Sequence, residues 1–566
     1  MIYLASYSLR NIAKMSRIIL SILVFLLTFG PVFADRFVVC EEGCPYNNIT
    51  AAVSAAKSGD VIEVHSGTYN ENINVSKPVV LRGIDTGKGK PIVDSGQKGS
   101  AITLSADGIE IDGFEVRTAV GNPFIEWAGI KVASNDNIVS NNLADNNDNG
   151  IFLVSSRNNT LLGNNVTRNT NGILLKRTYN NTINANHLAG NNYGLRLISS
   201  ANNMVVGNQV TDNDHGILLE SSEGNALRDN RMYNNSYNFG ADGVNNIFRS
   251  NLVDNKPVIY LVGASGNIID SSSQAGTIYC INCTNITIRG QTLKNNSCGI
   301  CLSNTTNSII EKNSLNDNLN GIYLVGSHRN SIADNNVNHN VNGIALISSK
   351  YNRIENNIAS DNDDTGLFLS HSNYNNVSSN KARMNNKGLS ILDSGFDWVS
   401  ANNLSENSIA IHFKSAWLSD IYSNHVFNNT EGILLDSSSK NNIINNVISN
   451  NGKGLLYDPL DKNAFSNNSM LNNSRDKEEI VTKSTAAPLG TGPSISVDVD
   501  SIPNGAAVLV DGDFSATTPG TLYFSPGPAN YTLEMSLKGY KDKELVVENP
   551  PISKEIRVDL TRESGQ

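Results

Sequence analysis

The sequence predicts an all-β chain: a parallel β-helix with a small β-sandwich-like domain behind it. Three observations carry that prediction. Asparagine recurs with a 22-residue period through the middle of the chain, apolar residues alternate in short runs between the asparagines, and the repeat stops after residue 474. A period of about 20 to 50 residues means stacked supersecondary units.

Taking the units that begin at Gly150, Gly172, Gly194 and onward to Gly454, offset fourteen reads Asn164, Asn186, Asn208 and so on to Asn468. Offset nineteen reads Asn169, Asn191, Asn213 and so on to Asn473. Offsets one and three are apolar, as in Ile151 and Leu153 or Ile433 and Leu435, and offsets eleven and sixteen repeat the pattern. Alternation bounded by Gly and Asn turns reads as short strands rather than helices. One coil of such strands climbs one strand spacing of ~4.8 Å, so equal offsets stack. Asn suits the turns because it tolerates left-handed backbone and its amide can bond the Asn one coil up. The rhythm loosens from Ser236 to Gly276, which reads as a degenerate coil with a protruding loop, and one extra residue enters near Asp363 and Asp364.

Ahead of the array, Asn48 to Asp60 reads as an amphipathic helix stopped by Gly59, a fitting cap for an apolar solenoid end. The predicted domains are a signal peptide (1–34), a cap with the first coils (35–107), the β-helix repeats (108–474), a linker (475–493) and a β-domain (494–562). The signal peptide rests on Arg10, Lys14 and Arg17, then an apolar run from Ile18 to Phe29, then Val32, Phe33 and Ala34. A secreted or cell-surface location follows. Membrane contact is expected only through this segment, should it stay uncleaved.

A formal net charge of −10 with no basic block disfavours nucleic acid as a partner. Cys40 and Cys44 are disulfide candidates in an oxidising compartment. Cys280, Cys283, Cys298 and Cys301 have zinc-like spacing, but the register puts Cys280 with inward Leu302 and Cys301 with outward Tyr279. Structural thiols or disulfides therefore fit these four better than a tetrahedral metal cluster.

The array, with Gly59-Asp-Val-Ile-Glu-Val-His-Ser-Gly-Thr-Tyr69 and Ile109-Glu-Ile-Asp-Gly-Phe114, resembles the NosD-like branch of the pectate-lyase-like right-handed β-helices. Ile502-Pro-Asn-Gly-Ala-Ala-Val-Leu-Val-Asp-Gly512, Thr518-Pro519 and Lys538-Gly-Tyr540 resemble a PEGA domain. The resemblance implies a right-handed coil and a structural or carbohydrate-binding protein of a microbial, in particular archaeal, envelope, with envelope polysaccharide or surface proteins as partners. It also raises a polysaccharide lyase or glycoside hydrolase, and a copper-handling protein of the periplasmic type. Copper fits poorly: Met is scarce, and His187, His215, His328, His339 and His425 fall at scattered offsets.

Candidate site residues come from the columns. His371, Asp393 and Asp436 face outward on neighbouring coils, as an acid/base group would. Asp361, Asp363 and Asp364 sit at the extra residue and suit hard-cation chemistry, which makes calcium the one cofactor to consider. Tyr351, Tyr374 and Phe396 share offset eight, with Trp417 and Trp398 beside them; such a strip either stacks on sugar rings or pillars the solenoid. Sequons at Asn158, Asn165, Asn180, Asn304 and Asn428 offer glycan acceptors.

Overall fold

In a computed structural model, residues 34–121 and 126–480 and seven strands between residues 495 and 559 are described; the signal peptide reading lies outside them, apart from Ala34. The chain divides into two compact units, Met1–Ile480 and Val481–Gln566. In the first unit each coil lays down three strands, as in Asn149–Val154, Thr160–Leu162 and Asn165–Thr167. Neighbouring coils pair parallel and in register, Ile151 with Ile173, Leu161 with Ile183 and Val166 with Leu188. Inward side chains therefore stack on their own kind and are fully buried.

Asparagine holds the corners. Asn164 donates its backbone N–H and Nδ2 to Asn186 Oδ1, at 3.0 and 2.9 Å, and Nδ2 also reaches the Val139 carbonyl at 2.9 Å. Asn186 repeats the pattern on Asn208. Each buried amide is thereby satisfied on both sides, at ~1 kcal/mol net per bond. A third column, Asn159, Asn181, Asn203 and Asn225, does the same. The left-handed residue, however, is not the ladder Asn but the one before it: Gly163, Ala185, Arg168 and Ala401 all have φ between 52° and 63°. The column glycines are needed for space, since a Cβ on Gly150 would lie 2.6 Å from the Gly172 carbonyl oxygen.

The array is two stacks, not one interrupted coil. The segment expected to protrude instead turns back, Leu252–Val253 pairing antiparallel with Lys256–Pro257, and strand Lys256–Val262 starts a second column by pairing with Thr277–Ile281. The ladders break here: Asn235 Nδ2 turns to Asn238, and new ladders start at Gln291 and Asn296. The second stack has its own interior, from Ile259 to Leu455. Its outward residues Tyr260, Tyr279, Cys301 and Tyr323 pack instead into the interior of the first stack. Tyr279, expected to face solvent, is 1% exposed, edge-on to Phe239 at 5.5 Å. Ser297 N donates to the Phe239 carbonyl at 3.1 Å. The open end of the first stack is thus closed by the flank of the second, and the two meet as an elbow.

At the other end, helix α1 (Ile49–Ala55) covers the first coil with Ile49, Ala52 and Val53. It stops four residues before Gly59, with Asn48 accepting from Ala51 N and the Glu71 carboxylate from Ile49 and Thr50 N–H. Outward Phe152 and Leu174, with Ala128, form a small separate cluster. Charged Arg475–Glu479, read from sequence as linker, is the last strand of the second stack, paired with Lys453–Tyr457. The second unit has two sheets, one of Ile495–Ile502, Gly520–Phe524 and Glu555–Asp559, the other of Ala507–Val510, Asp513–Thr517, Tyr531–Ser536 and Lys543–Val547.

One rung of the third column is a carboxyl. Asp397 Oδ1 accepts from Asn375 N at 2.8 Å, but its buried Oδ2 has no partner where an Asn amide would donate. Burial pushes its pKa up to about 7 from the ordinary 3.8. Between those values the unfolded chain releases a proton that the folded chain keeps, so stability falls as pH rises through that window, by ~1.4 kcal/mol per pH unit. Asp397→Asn is expected to remove this slope and to raise the melting temperature at pH 8 while leaving it unchanged below pH 4, as thermal unfolding across pH will show.

Candidate functional site

The outer aromatic strip of the second stack is built at turn positions. Tyr351, Tyr374 and Phe396 have φ of 60°, 62° and 58°, a left-handed conformation that costs an L-residue roughly 1–2 kcal/mol. Their rings stack at 5.1 and 4.8 Å with interplanar angles of 14° and 8°. That distance is the coil rise, so each ring turns its faces to its neighbours and its edge to water. The Arg329 guanidinium lies over Tyr351, 5.7 Å from the ring centre. A column with occupied faces is a pillar.

Trp417 extends the pillar sideways. Its indole lies against Gly395 one coil below, where a Cβ would collide with the ring. Trp398 and Tyr422 are different: 50% and 40% exposed, on adjacent coils, with centroids 6.4 Å apart and planes at 59°. Neither ring is stacked face to face on the other.

The His371, Asp393 and Asp436 group does not converge. His371 Nε2 and Asp393 Oδ2 are 4.0 Å apart, and both side chains are substantially exposed. Asp436 lies two coils beyond Asp393, in register with Lys414.

The extra residue is absorbed as a β-bulge: Asp364 N and Thr365 N both point at the Val341 carbonyl, at 2.9 and 3.3 Å. Asp364 turns to Lys387 Nζ at 3.5 Å. Asp363 stays exposed and lines a cleft of about 330 Å³ at the inside of the elbow, with Tyr237 of the first stack and Asn295, Asp317 and His339 of the second. A second hollow of about 540 Å³ adjoins it and contains Asp361, Asp363 and Glu406. Burial, then the carboxylates of Asp363 and Asp214, raises the Tyr237 pKa. Behind Tyr237 stand His215, at 5.1 Å, and Tyr193, stacked on His215 at 4.7 Å. Burial lowers the His215 pKa. Tyr237 and Tyr422 did not stand out in the sequence, and His339 only as one of the scattered histidines, because the meeting of two stacks is not written in the repeat.

Among the described residues, Asp361, Asp363 and Asp364 do not bring one oxygen each within 4.8 Å of one another; the one group of three that does is Cys40, Cys44 and His65. Cys40 and Cys44 are joined in a disulfide. Cys298 and Cys301 form a second disulfide, at the elbow, whereas Cys280 and Cys283 are buried thiols of the second stack. The Cys280 thiol holds the Cys283 pKa down, to about 6.

Residues 53–256, 244–395 and 369–482 match the family model described as periplasmic copper-binding protein (NosD). The chain belongs to the NosD family. Residues 494–561 of this NosD-family chain match the PEGA domain. No curated protein is significantly similar to it in sequence. Among solved structures, the periplasmic alginate epimerase AlgG is 14% identical over 68% of this chain and 84% of its own, with a TM-score of 0.32. Pectate lyase Pel9A is 14% identical over 48% and 78%, TM-score 0.32. The A-module of Azotobacter vinelandii mannuronan C-5 epimerase AlgE6 is 13% identical over 75% and 94%, TM-score 0.23. Those values leave each activity with the protein that carries it.

The family name raises copper, and the histidines of the described residues do not gather into a site for it. A soft site needs clustered Met, Cys or His. His215 sits between two tyrosines, His425 lies against Phe427, and the sulfurs nearest His65 are spent in a disulfide.

The Trp417 pillar makes a measurable coupling. Gly395→Ala is expected to destabilise by ~1–3 kcal/mol, as overpacking does. In a Trp417→Ala background the same change should cost almost nothing. A double-mutant cycle by chemical denaturation checks this.

Proposed function

We propose that this NosD-family chain is a secreted or cell-surface component of a microbial envelope that binds polysaccharide on the flank of its second stack. The observation that carries the reading is the Trp398–Tyr422 pair, two exposed, tilted and unstacked rings on adjacent coils. Sugar rings stack on open aromatic faces, and a rise of ~4.8 Å per coil spaces the two rings along one chain. The solenoid supplies rigidity, so the rings lose little entropy on binding.

An extracytoplasmic setting is supported by the two disulfides and by the PEGA match. No helix of the described residues is long and apolar enough to cross a membrane. Exposed turn asparagines such as Asn158, Asn180, Asn304 and Asn428 stand where glycans would project without disturbing the buried ladders.

Glycan-array binding by the full chain tests the reading. Trp398→Ala with Tyr422→Ala is expected to weaken retention by about tenfold or more, ~1.4 kcal/mol. Tyr374→Ala should lower stability and leave binding intact. Unchanged binding in the double variant would return both rings to the scaffold and sink the proposal.

A further inference from the structure

The elbow cleft lies on the inner side of the junction, and its lining has a definite chemistry. Tyr237 contributes a half-buried ring, backed by His215 and Tyr193. Facing it from the second stack are the exposed Asp317, His339 and Asp363, with Asn295 beside them. No Lys or Arg is among the described residues lining it. The adjoining hollow adds Asp361 and Glu406, of which Glu406 is paired with Arg383 at 2.7 Å.

Two facts narrow the ligand. The carboxylates occupy separate coils, Asp317 in the coil of Gly299 and Asp363 at the bulge after Asn362, and they do not gather around a point with a third donor. A single metal ion therefore has no coordination sphere here, whereas a ligand with several spaced positive charges can meet each carboxylate in turn. The acidic lining also repels uronate and phosphate polymers. A ring such as Tyr237 adds a stacking surface that a sugar fills and a metal does not.

We infer that the elbow cleft is a second binding site, separate from the aromatic pair, for oligosaccharides of amino sugars with free amines. Ammonium groups donate charge-assisted hydrogen bonds to Asp317 and Asp363 while one sugar ring lies on Tyr237. Asp363 keeps its regular place, its N–H on the Asn340 carbonyl as the Val341 N–H is on that of Asn318, and the extra residue beside it is taken up at Asp364 and Thr365. This inference rests on the carbohydrate reading above for its ligand class but on different residues.

Calorimetric titration of the full chain tests it with a glucosamine oligosaccharide, its fully N-acetylated counterpart, polygalacturonate and oligolysine. The wild type is expected to bind the glucosamine oligomer, to bind the acetylated one at least about tenfold more weakly, and not to bind polygalacturonate. Asp317→Asn with Asp363→Asn, near-isosteric changes of exposed side chains, should weaken the glucosamine oligomer by about tenfold or more at unchanged melting temperature. Tyr237→Ala should do the same. Binding within twofold of wild type in the double Asn variant overturns the inference, as does binding of polygalacturonate at the cleft. Oligolysine binding as tightly as the sugar would reassign the cleft to basic peptides, and likewise overturns it. If Trp398→Ala with Tyr422→Ala abolishes all glycan binding while the elbow variants bind normally, the elbow site falls and the polysaccharide reading stands. If the glucosamine oligomer binds only through the elbow and glycan-array retention is unchanged in Trp398→Ala with Tyr422→Ala, the aromatic pair falls instead.

Discussion

Everything in the first unit depends on one repeated hydrogen-bond pattern, the buried Asn amide that bonds the coil above and the coil below at each corner. A solenoid turn cannot leave its backbone N–H and carbonyl groups unpaired away from water. In a coil of this size the strands pair with their neighbours and so do the residues flanking each ladder Asn, as Gly163 N–H does with the Asn184 carbonyl, but the N–H of the ladder position itself finds no backbone partner. Asn completes the corner: its Oδ1 takes two N–H donors from the preceding coil and its Nδ2 supplies the next oxygen, as in Asn164, Asn186 and Asn208. Rung spacing is then held near 22 residues, and the coils that depart from it, Asn225 to Asn245, Asn230 to Asn251 and Asn357 to Asn380, keep the rungs by taking up the difference between them. Asp397 shows how strict the site is, since replacing one amide nitrogen by oxygen leaves a buried atom with no partner.

That strictness gives meaning to the places where the pattern is broken. The extra residue at Asp363–Asp364 is tolerated because it falls between the last ladder Asn of one coil and the first strand of the next, where a bulge against Val341 takes it up. The junction is tolerated because the broken ladders end in local partners, Asn235 on Asn238, and because the tyrosines of the second flank close the exposed interior of the first. Both breaks open onto the same cleft, where Tyr237 meets Asp363.

The fold was legible almost in full, since periodic sequence and periodic structure share one register: Ile151 pairs with Ile173 as the columns require. The third Asn column was legible in principle but hidden by Ser, Asp and Ile substitutions at Ser308, Asp397 and Ile286. The left-handed residues were assigned one place too late, because Asn is abundant at both the ladder position and the one before it. Two stacks could not be told from one with a loop, since the closing contact of Tyr279 with Phe239 spans forty residues with no repeat to announce it. The aromatic residues were found but not their roles: offset predicts stacking, whereas only geometry separates Tyr374, stacked on both faces, from Trp398, exposed and only tilted against Tyr422.

A solenoid of identical coils presents the same surface at every height and so has no preferred place for a ligand. Specific recognition needs a position that differs from its neighbours, and this chain makes such positions in two ways. Substitution within a column, as at Trp398 and Tyr422, changes what the surface displays without disturbing the rungs. Interruption of the column, as at the elbow and the bulge, changes the shape of the surface and makes it concave. The second route costs more, because each broken ladder forfeits bonds of ~1 kcal/mol, and the elbow recovers that cost by burying Tyr260, Tyr279 and Tyr323 in the interior of the first stack. The same tyrosines that make the junction stable thus hold Tyr237 and Asp363 against each other, so the scaffold and the cleft cannot be altered independently.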